Sequence, residues 1–343
     1  MTRQPRLYFF CLSAFMIGFI IASLIQFYSG RDFKRNFEMA NSVGVKSSQH
    51  LQRGVNTNHV ALKNGSGIQA ESVSPKSKTN TNTNTALKKD FQEVRVLCWV
   101  MTSPSTLMSR AVHVRNTWGR RCNVTLFMST ESNASFPSIS LPVKEGYDFI
   151  WGKTREAFRY IYQHHLNDAD WFLKADDDTY VIVDNLRYFL SDKSNSEPVF
   201  YGHNFKLNSI EYMSGGAGYV LSKEALKRFV SVMDDREVCT VNVKKRSEDF
   251  EMGRCLKNVG VIAGDSRDNL NRTRFFPFQL ELLLNKGSLP KDMWYWKYVI
   301  YKPTEGEECC SDYLISIHYV DPKAMHYLEF LVYNLRAGVQ LAG

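Results

Sequence analysis

The chain has 343 residues, which is enough for one large domain with appendages or for two modest domains. Apolar residues make up 44% and charged residues 23%, so most of the chain can bury a core. The net charge of +8 is concentrated in residues 1–91, which hold 12 basic and 4 acidic residues, whereas residues 92–343 hold 31 of each. Because the globular part is neutral, a broad basic face for nucleic acid is disfavoured.

The N-terminal part is predicted to attach the chain to a membrane. A run without charged residues extends from Leu7 to Tyr28 and is long enough to span a bilayer as one helix. We expect residues 1–6 to be a cytoplasmic head, residues 7–28 an uncleaved signal anchor, and residues 29–91 a flexible polar stem. A cleaved signal peptide is the alternative, but the run exceeds an ordinary signal-peptide core and no small-residue cleavage site follows it.

Cysteines and glycosylation motifs indicate the secretory pathway. Cys11 lies in the apolar run, and the other six cysteines form an even set without a Cys-x-x-Cys pair, which disfavours a zinc ribbon. Sequence alone permits 15 pairings of these six. Asn-x-Ser/Thr motifs begin at Asn64, Asn123, Asn133 and Asn271. Together with the hydrophobic N-terminus, these features favour an oxidising lumen.

From residue 91 onward, apolar periodicity predicts strands that alternate with helices. The predicted strands are 94–101, 124–129 and 170–174, and the predicted helices are 107–116, 153–165 and 181–190. This alternation predicts a parallel, doubly wound α/β sheet, in which ligand sites lie at the carboxyl ends of the strands.

Three consecutive carboxylates, Asp176, Asp177 and Asp178, follow the third predicted strand. Adjacent negative charges repel one another unless water or a cation compensates them. Carboxylates at positions i and i+2 can reach one hard cation, and that cation can hold a diphosphate. A solvated acidic loop or an acidic helix start is the alternative. The position directly after an apolar strand favours the metal site.

Three further segments could complete a site. Tyr212–Tyr219 contains three glycines, which either let the backbone approach a ligand closely or form a tight structural turn. Ser247 could cap a helix in which Glu248 and Asp249 serve capping alone or present a carboxylate base at a pocket rim. His318 is either an ordinary core or surface histidine or a nitrogen ligand which, beside aspartate oxygens, suits Mn²⁺.

In their chain order these segments resemble glycosyltransferase family 31, and within it the core 1 β1,3-galactosyltransferases, over residues 91–336. The segments that carry the resemblance are 115–119 (RNTWG), 169–180 (ADWFLKADDDTY), 212–227, 247–255, 264–267 (GDSR), 309–312 (CCSD) and 318–321 (HYVD). The resemblance implies a GT-A fold, a doubly wound mixed α/β sheet flanked by helices, in one lumenal catalytic domain at residues 92–343. The head, anchor and stem are likewise typical of a single-pass type II protein of the Golgi membrane.

The resemblance also implies a reaction. Galactose would pass with inversion from UDP-galactose to the 3-hydroxyl of N-acetylgalactosamine (GalNAc) α-linked to Ser or Thr, which makes the core 1 O-glycan. Asp178 and His318 would be Mn²⁺ ligands, Asp176 would complete the DxD motif, and Asp249 would be the catalytic base. The positions that match nucleotide contacts are Met101, Gly146, Lys153, Asp177 and Tyr319. The positions that match acceptor contacts are Trp294, Tyr212 and Gly215.

Disulfides and partners are implied in the same way. The pairs would be Cys98–Cys122, Cys239–Cys255 and Cys309–Cys310, and the partners would be GalNAc-modified glycoproteins, a second copy in a homodimer and a dedicated chaperone. Two other functions stay open: a fringe-like β1,3-N-acetylglucosaminyltransferase, since pocket shape sets the donor, and a non-catalytic chaperone relative. The chaperone branch lacks the acidic metal motif, so the intact motif together with Asp249 and His318 favours catalysis.

Overall fold

The computed structural model describes residues 90–336 and residue 338. Within this part of the chain, no helix has both the length and the apolar character needed to cross a membrane. The predicted head and anchor, nearly all of the predicted stem, and Asn64 lie outside the described residues. The other three glycosylation motifs are described, and Asn123, Asn133 and Asn271 are all exposed.

The described chain alternates short strands and helices. The strands are β1 (Val96–Met101), β2 (Val124–Ser129), β3 (Ser138–Ser140), β4 (Trp171–Asp176), β5 (Tyr180–Val181), β6 (Val199–Gly202), β7 (Asn204–Leu207), β8 (Ile210–Met213), β9 (Tyr219–Ser222), β10 (Ile262–Ala263), β11 (Phe275–Phe276) and β12 (Ser316–Ile317). The helices are α1 (Val112–Asn116), α2 (Ile150–His165), α3 (Val183–Leu190), α4 (Lys223–Val232), α5 (Glu248–Asn258), α6 (Glu281–Leu284), α7 (Tyr295–Tyr298) and α8 (Pro322–Tyr333).

Seven strands form the central sheet in the order β10-β6-β9-β4-β1-β2-β3. Strand β9 runs antiparallel to β4 and β6, and the other neighbouring pairs are parallel. The sheet is therefore mixed, as the family resemblance implies, and the wholly parallel sheet expected from periodicity is wrong. Between β6 and β9 the chain contains only the β7–β8 hairpin and no crossover helix, so β9 returns in the opposite direction.

Helices cover both faces of the sheet, which confirms the doubly wound α/β class. Alternate side chains of a strand point to opposite faces. Cys98 of β1 belongs to the core that includes Val114 of α1 and Leu186 of α3. Its neighbour Trp99 belongs to the opposite core, which includes Phe158 of α2 and helices α4 and α5.

The element boundaries differ from the predictions in ways that matter for the site. The predicted strand 170–174 extends to Asp176, so the first of the three carboxylates belongs to β4. The predicted helix 181–190 begins only at Val183, because Tyr180–Val181 pairs with β12, a partner that is distant in sequence. The predicted helix 107–116 starts with a π-helical turn, Leu107–Ala111, before α1.

The structure joins the three cysteine pairs that the resemblance implies: Cys98–Cys122, Cys239–Cys255 and Cys309–Cys310. The first pair ties β1 to Cys122, two residues before the start of β2. The second ties α5 to the loop that precedes it. Both therefore fix elements that border the cleft described next.

Candidate active site

A cleft of about 820 Å³ opens where β1 and β4 end. The carboxyl ends of these parallel strands meet at one edge of the sheet, so the polar residues that follow them converge there. The residues predicted for metal, nucleotide, acceptor and base all line it: Asp176, Asp178, His318, Met101, Gly146, Lys153, Asp177, Tyr319, Trp294, Tyr212, Gly215 and Asp249. The structure thus brings together residues from eight separate stretches of sequence, while their individual roles stay predictions.

Asp176, Asp178 and His318 form a cluster that could hold a metal ion. Their ligand atoms lie within 4.8 Å of one another. Nε2 of His318 is 3.3 Å from Oδ1 of Asp178 and 4.0 Å from Oδ2 of Asp176. Two carboxylate oxygens with one imidazole nitrogen form a donor set that suits a divalent ion such as Mn²⁺.

The orientation of His318 also suits metal binding. Its Nδ1 lies 3.2 Å from the backbone carbonyl oxygen of Pro277. Because a carbonyl oxygen can only accept, Nδ1 carries the hydrogen in this contact, and in the neutral ring Nε2 offers a lone pair toward the aspartates. Gly216 packs directly against the imidazole, and a Cβ at this position would overlap the ring.

Two cations and the hydroxyl groups of Thr102 and Thr106 compensate the acidic motif. Nη1 of Arg110 is 3.1 Å from Oδ2 of Asp178, and Oγ1 of Thr102 donates to Oδ2 of Asp177 over 2.8 Å. Burial raises the pKa of Asp177. Burial would also raise the pKa of Asp178, but His318, Arg110 and Lys174 outweigh it and lower that pKa.

Lys174 is the second cation, and it is buried with only 2% of its surface exposed. Its Nζ donates to Oδ1 of Asp176 over 2.5 Å and to the Gly215 carbonyl over 3.0 Å. Burial would lower the pKa of Lys174, but the negative charges of Asp176, Glu248 and Asp249 outweigh burial and raise that pKa. The side chain therefore stays an ammonium group beneath the cleft.

The predicted nucleotide side of the cleft contains a second buried lysine. Nζ of Lys153 donates to the Thr102 carbonyl over 2.8 Å and to Glu145 over 3.1 Å. Gly146, next to Glu145, has φ of 115°, a conformation that a side chain would strain. Tyr319 stacks on His318 with ring centroids 3.8 Å apart and is half exposed, so it lies between the candidate metal cluster and solvent.

The predicted acceptor side is a wall of aromatic rings. Trp294 is 52% exposed, lines the cleft, and lies within 5.7 Å of Phe205 and 6.1 Å of Tyr298 between ring centroids. Tyr212 and Phe250, 5.7 Å apart between centroids, continue the wall toward α5. Exposed aromatic faces of this kind can stack on the apolar face of a sugar.

Asp249 lies in the first turn of α5 and is partly exposed to the cleft. Its Oδ1 accepts from Ser247 Oγ and from the Phe250 amide, each over 2.8 Å, and its Oδ2 accepts from the Gly215 amide over 3.3 Å. Ser247 occupies the N-cap position as predicted. Its side chain donates to Asp249 and makes no capping bond to the backbone.

Glu248, the neighbour of Asp249, plays a different part. It is 4% exposed, and its Oε1 accepts from Thr154 Oγ1 over 2.9 Å and from the Tyr219 hydroxyl over 2.6 Å. Burial raises the pKa of Glu248. Both residues line the cleft, but Glu248 is buried and engaged by Thr154 and Tyr219, so Asp249 is the more accessible carboxylate of the pair.

Sequence reasoning missed three residues of this site. Lys174 stands two positions before Asp176, so the strand period places both on one face, and that signal was present in the sequence. Gly216 was part of the glycine segment, but nothing local indicated its contact with His318. Arg110 lies on the π-helical turn, and no local pattern connects it with the aspartates.

Comparisons with known proteins agree with this geometry. The Fringe-like family model matches residues 95–268. A Xenopus laevis protein, glycoprotein-N-acetylgalactosamine 3-beta-galactosyltransferase 1, is 42% identical over 324 residues, which are 94% of this chain and 84% of that protein. Human chondroitin sulfate synthase 3 is 32% identical over 181 residues, which are 47% of this chain and 20% of that protein.

Among solved structures, the galactosyltransferase LgtC in complex with donor and acceptor sugar analogues aligns with 70% of this chain and 97% of its own. The sequence identity is 10% and the TM-score is 0.36. This similarity is too low to carry an argument, so the fold assignment rests on the strand order given above.

Proposed function

This chain belongs to the Fringe-like family, glycosyltransferase family 31, and we propose that it transfers galactose from UDP-galactose to the 3-hydroxyl of GalNAc α-linked to Ser or Thr. The product would be the core 1 O-glycan, formed with inversion at the anomeric carbon. One observation carries the proposal. The Asp176–Asp178–His318 cluster and the Asp249 carboxylate line the same cleft, so a sugar donor and its acceptor can meet between a metal and a base.

The residues present fit a divalent cation, since Asp178 and His318 offer an oxygen and a nitrogen and Asp176 adds a second carboxylate. Mn²⁺, when bound, would offset the negative charge that builds on the departing UDP. Arg110 adds a fixed positive charge at the same edge, because its guanidinium is already held beside Asp178. Lys153 adds a second positive charge beneath the predicted nucleotide side of the cleft.

Asp249 would remove the proton that the acceptor hydroxyl loses. In this step the bond from the anomeric carbon to UDP breaks, the bond to the acceptor O3 forms, and the hydroxyl proton passes to Asp249. The anomeric carbon passes through an oxocarbenium-like state, and inversion requires attack from the face opposite the leaving group. Hydrogen bonds from Ser247, Phe250 and Gly215 hold the carboxylate in place for that attack.

The acceptor sugar would rest on the aromatic wall. Trp294 is fixed by neighbouring rings yet half exposed, which leaves one face for the apolar side of GalNAc. We further propose that residues 7–28 anchor the enzyme as a type II protein of the Golgi membrane, where it would meet GalNAc-modified glycoproteins. The hydrophobic run and the three cysteine pairs support this location.

Replacing Asp249 by asparagine tests the proposal. With the purified full chain, we would measure galactose transfer from UDP-galactose to a GalNAc-α-Ser/Thr peptide, with Mn²⁺ or EDTA, and with UDP-N-acetylglucosamine as the competing donor. Asp249→Asn should reduce kcat by roughly 10²–10⁴-fold, because a positioned base contributes that much, while UDP binding is kept. Asp292→Asn, which alters an exposed aspartate outside the cleft, is the matched control.

Near-normal transfer by Asp249→Asn would refute the base assignment. Transfer of N-acetylglucosamine in place of galactose would support the fringe-like alternative. A folded wild-type protein that binds UDP but transfers neither sugar to this peptide would refute the proposed acceptor. Activity unchanged by EDTA would refute the metal requirement.

A further inference from the structure

Lys174 lies between the metal cluster and the base. It occupies β4 two positions before Asp176, so both side chains emerge from the same face of the strand. That face carries α2 and α5, whose apolar residues form one of the two cores. A lysine almost never occupies such a position without a partner, because an unpaired buried charge is strongly destabilising.

Its contacts form a continuous path across the floor of the cleft. The ammonium group donates to Oδ1 of Asp176 over 2.5 Å and to the Gly215 carbonyl over 3.0 Å. The amide of the same residue, Gly215, donates to Oδ2 of Asp249 over 3.3 Å. Three links therefore join a predicted metal carboxylate to the predicted base.

Buried groups beneath the cleft restrict the movement of Gly215. Glu248 is buried next to Gly215, and a Cβ on Gly215 would lie 2.7 Å from its Oε2. Thr154 and Tyr219 fix the other oxygen of Glu248. Gly215 can therefore shift little while Lys174 stays in place. Without Lys174, its carbonyl would keep only the hydrogen bond from the Gly218 amide, over 3.0 Å, and the buried carboxylates around it would lose their compensating charge.

We propose that Lys174 is a positioning residue that sets the geometry of both the Asp176–Asp178–His318 cluster and the Asp249 carboxylate. It occupies one oxygen of Asp176, so that only Oδ2 is turned toward His318 and the metal. It also helps to hold the backbone of Gly215, whose carbonyl accepts from Lys174 and whose amide donates to Asp249. The second half of this inference rests on the proposed function, because it assumes that Asp249 is the base; the first half does not.

Replacing Lys174 should change two quantities in opposite directions: the affinity for a divalent cation should rise and kcat should fall. Without its ammonium group, Asp176 gains a free oxygen and loses a competing positive charge, so the affinity for a divalent cation should rise. The Gly215 carbonyl loses one of its two hydrogen bonds and keeps the one from the Gly218 amide, so Gly215 and with it Asp249 should be held less firmly and kcat should fall. A purely structural role would lower stability and leave metal affinity and the kcat of the folded protein unchanged.

The experiment compares Lys174→Met, Lys174→Gln and wild type as full chains. We would measure Mn²⁺ binding without nucleotide by water-proton relaxation, then kcat and acceptor KM at saturating Mn²⁺, and the folded fraction by circular dichroism. Lys174→Met should bind Mn²⁺ roughly three- to tenfold more tightly, because a nearby unit charge is removed. Its kcat should fall by about 10²-fold with a smaller change in KM, the cost of a 1 Å misplacement.

Lys174→Gln tests the two halves of the inference separately, and it is the variant to measure if Lys174→Met does not fold. Its amide carries no charge but keeps a hydrogen-bond donor, one bond closer to the backbone than Nζ, so Mn²⁺ affinity should rise while kcat falls less than in Lys174→Met. Arg187→Met is the matched control: Arg187 is also a buried cation, but it donates to the Val94 and Arg121 carbonyls and does not line the cleft. That variant should be less stable, with unchanged Mn²⁺ affinity.

Unchanged or weaker Mn²⁺ binding in both Lys174 variants would overturn the first half of the inference. Unchanged kcat in a folded Lys174→Met protein would overturn the second. If wild type transfers no galactose, the proposed function fails, yet Mn²⁺ binding still decides whether Lys174 competes for Asp176. The two failures are therefore distinguishable.

Discussion

Replacing Gly216 by alanine would test the geometry of the candidate metal cluster, Asp176, Asp178 and His318, without removing any charge. A Cβ at this position would lie 2.7 Å from Nε2 of His318 and nearer still to Cε1 and Nδ1. Ordinary van der Waals contact begins near 3.4 Å, so the imidazole must move by about 1 Å. The ring is the end of a side chain and can rotate, so the fold should survive while Nε2 turns away from Asp178.

A displacement of this size has a calculable consequence. A 1 Å error in a reacting arrangement costs about 10²-fold in rate, and a disturbed ligand shell costs about 10- to 100-fold in metal affinity. We therefore expect Gly216→Ala to need 10- to 100-fold more Mn²⁺ for half-maximal transfer, with a melting temperature within a few degrees of wild type. Gly338→Ala, where a Cβ would meet nothing within 4 Å, is the control. A wild-type Mn²⁺ titration curve for Gly216→Ala would refute the claim that this contact sets the position of His318.

Two further predictions concern stability. Replacing Cys98 and Cys122 together by alanine should lower the free energy of unfolding by about 3 kcal/mol, because the bridge closes a loop between residues 24 apart. Replacing the adjacent Cys309 and Cys310 should lower it far less, because almost no loop is closed. Denaturant titration compares the two variants, and equal losses would contradict the loop argument. Burial lowers the pKa of His203 to about 4, below the value of about 6.5 in the unfolded chain, so the unfolded chain takes up the proton first as the pH falls. The free energy of unfolding should therefore be unaffected by His203 above pH 6.5 and should fall by up to about 1.4 kcal/mol per pH unit from there toward pH 4. His203→Gln should flatten this slope in pH-dependent unfolding, and an unchanged slope would show that other groups cause it.

Much of the site was predictable because its chemistry is concentrated in short segments. The three aspartates lie at the end of an apolar strand, and Asp249 follows a serine at a helix start, so each signal is local. The family resemblance then supplied pairings that spacing alone left open, such as Cys239–Cys255. The structure places these segments around one cleft.

Other features were not predictable, because they depend on how distant segments meet. Tyr180–Val181 forms a strand only because β12 lies beside it, and that pairing overrides a helical pattern. Strand β9 is antiparallel because the chain returns through a hairpin, which periodicity cannot reveal since it reports burial and not direction.

By itself, then, the sequence determined the alternation of strands and helices, the acidic motif and the family resemblance, since each depends on residues that are neighbours along the chain. Only the tertiary structure decided that Gly216 packs on His318 and that Lys174 reaches Gly215. These contacts join residues separated by about 40 to 100 positions, and they form because the strand order brings β4, the glycine segment and β12 to one edge of the sheets.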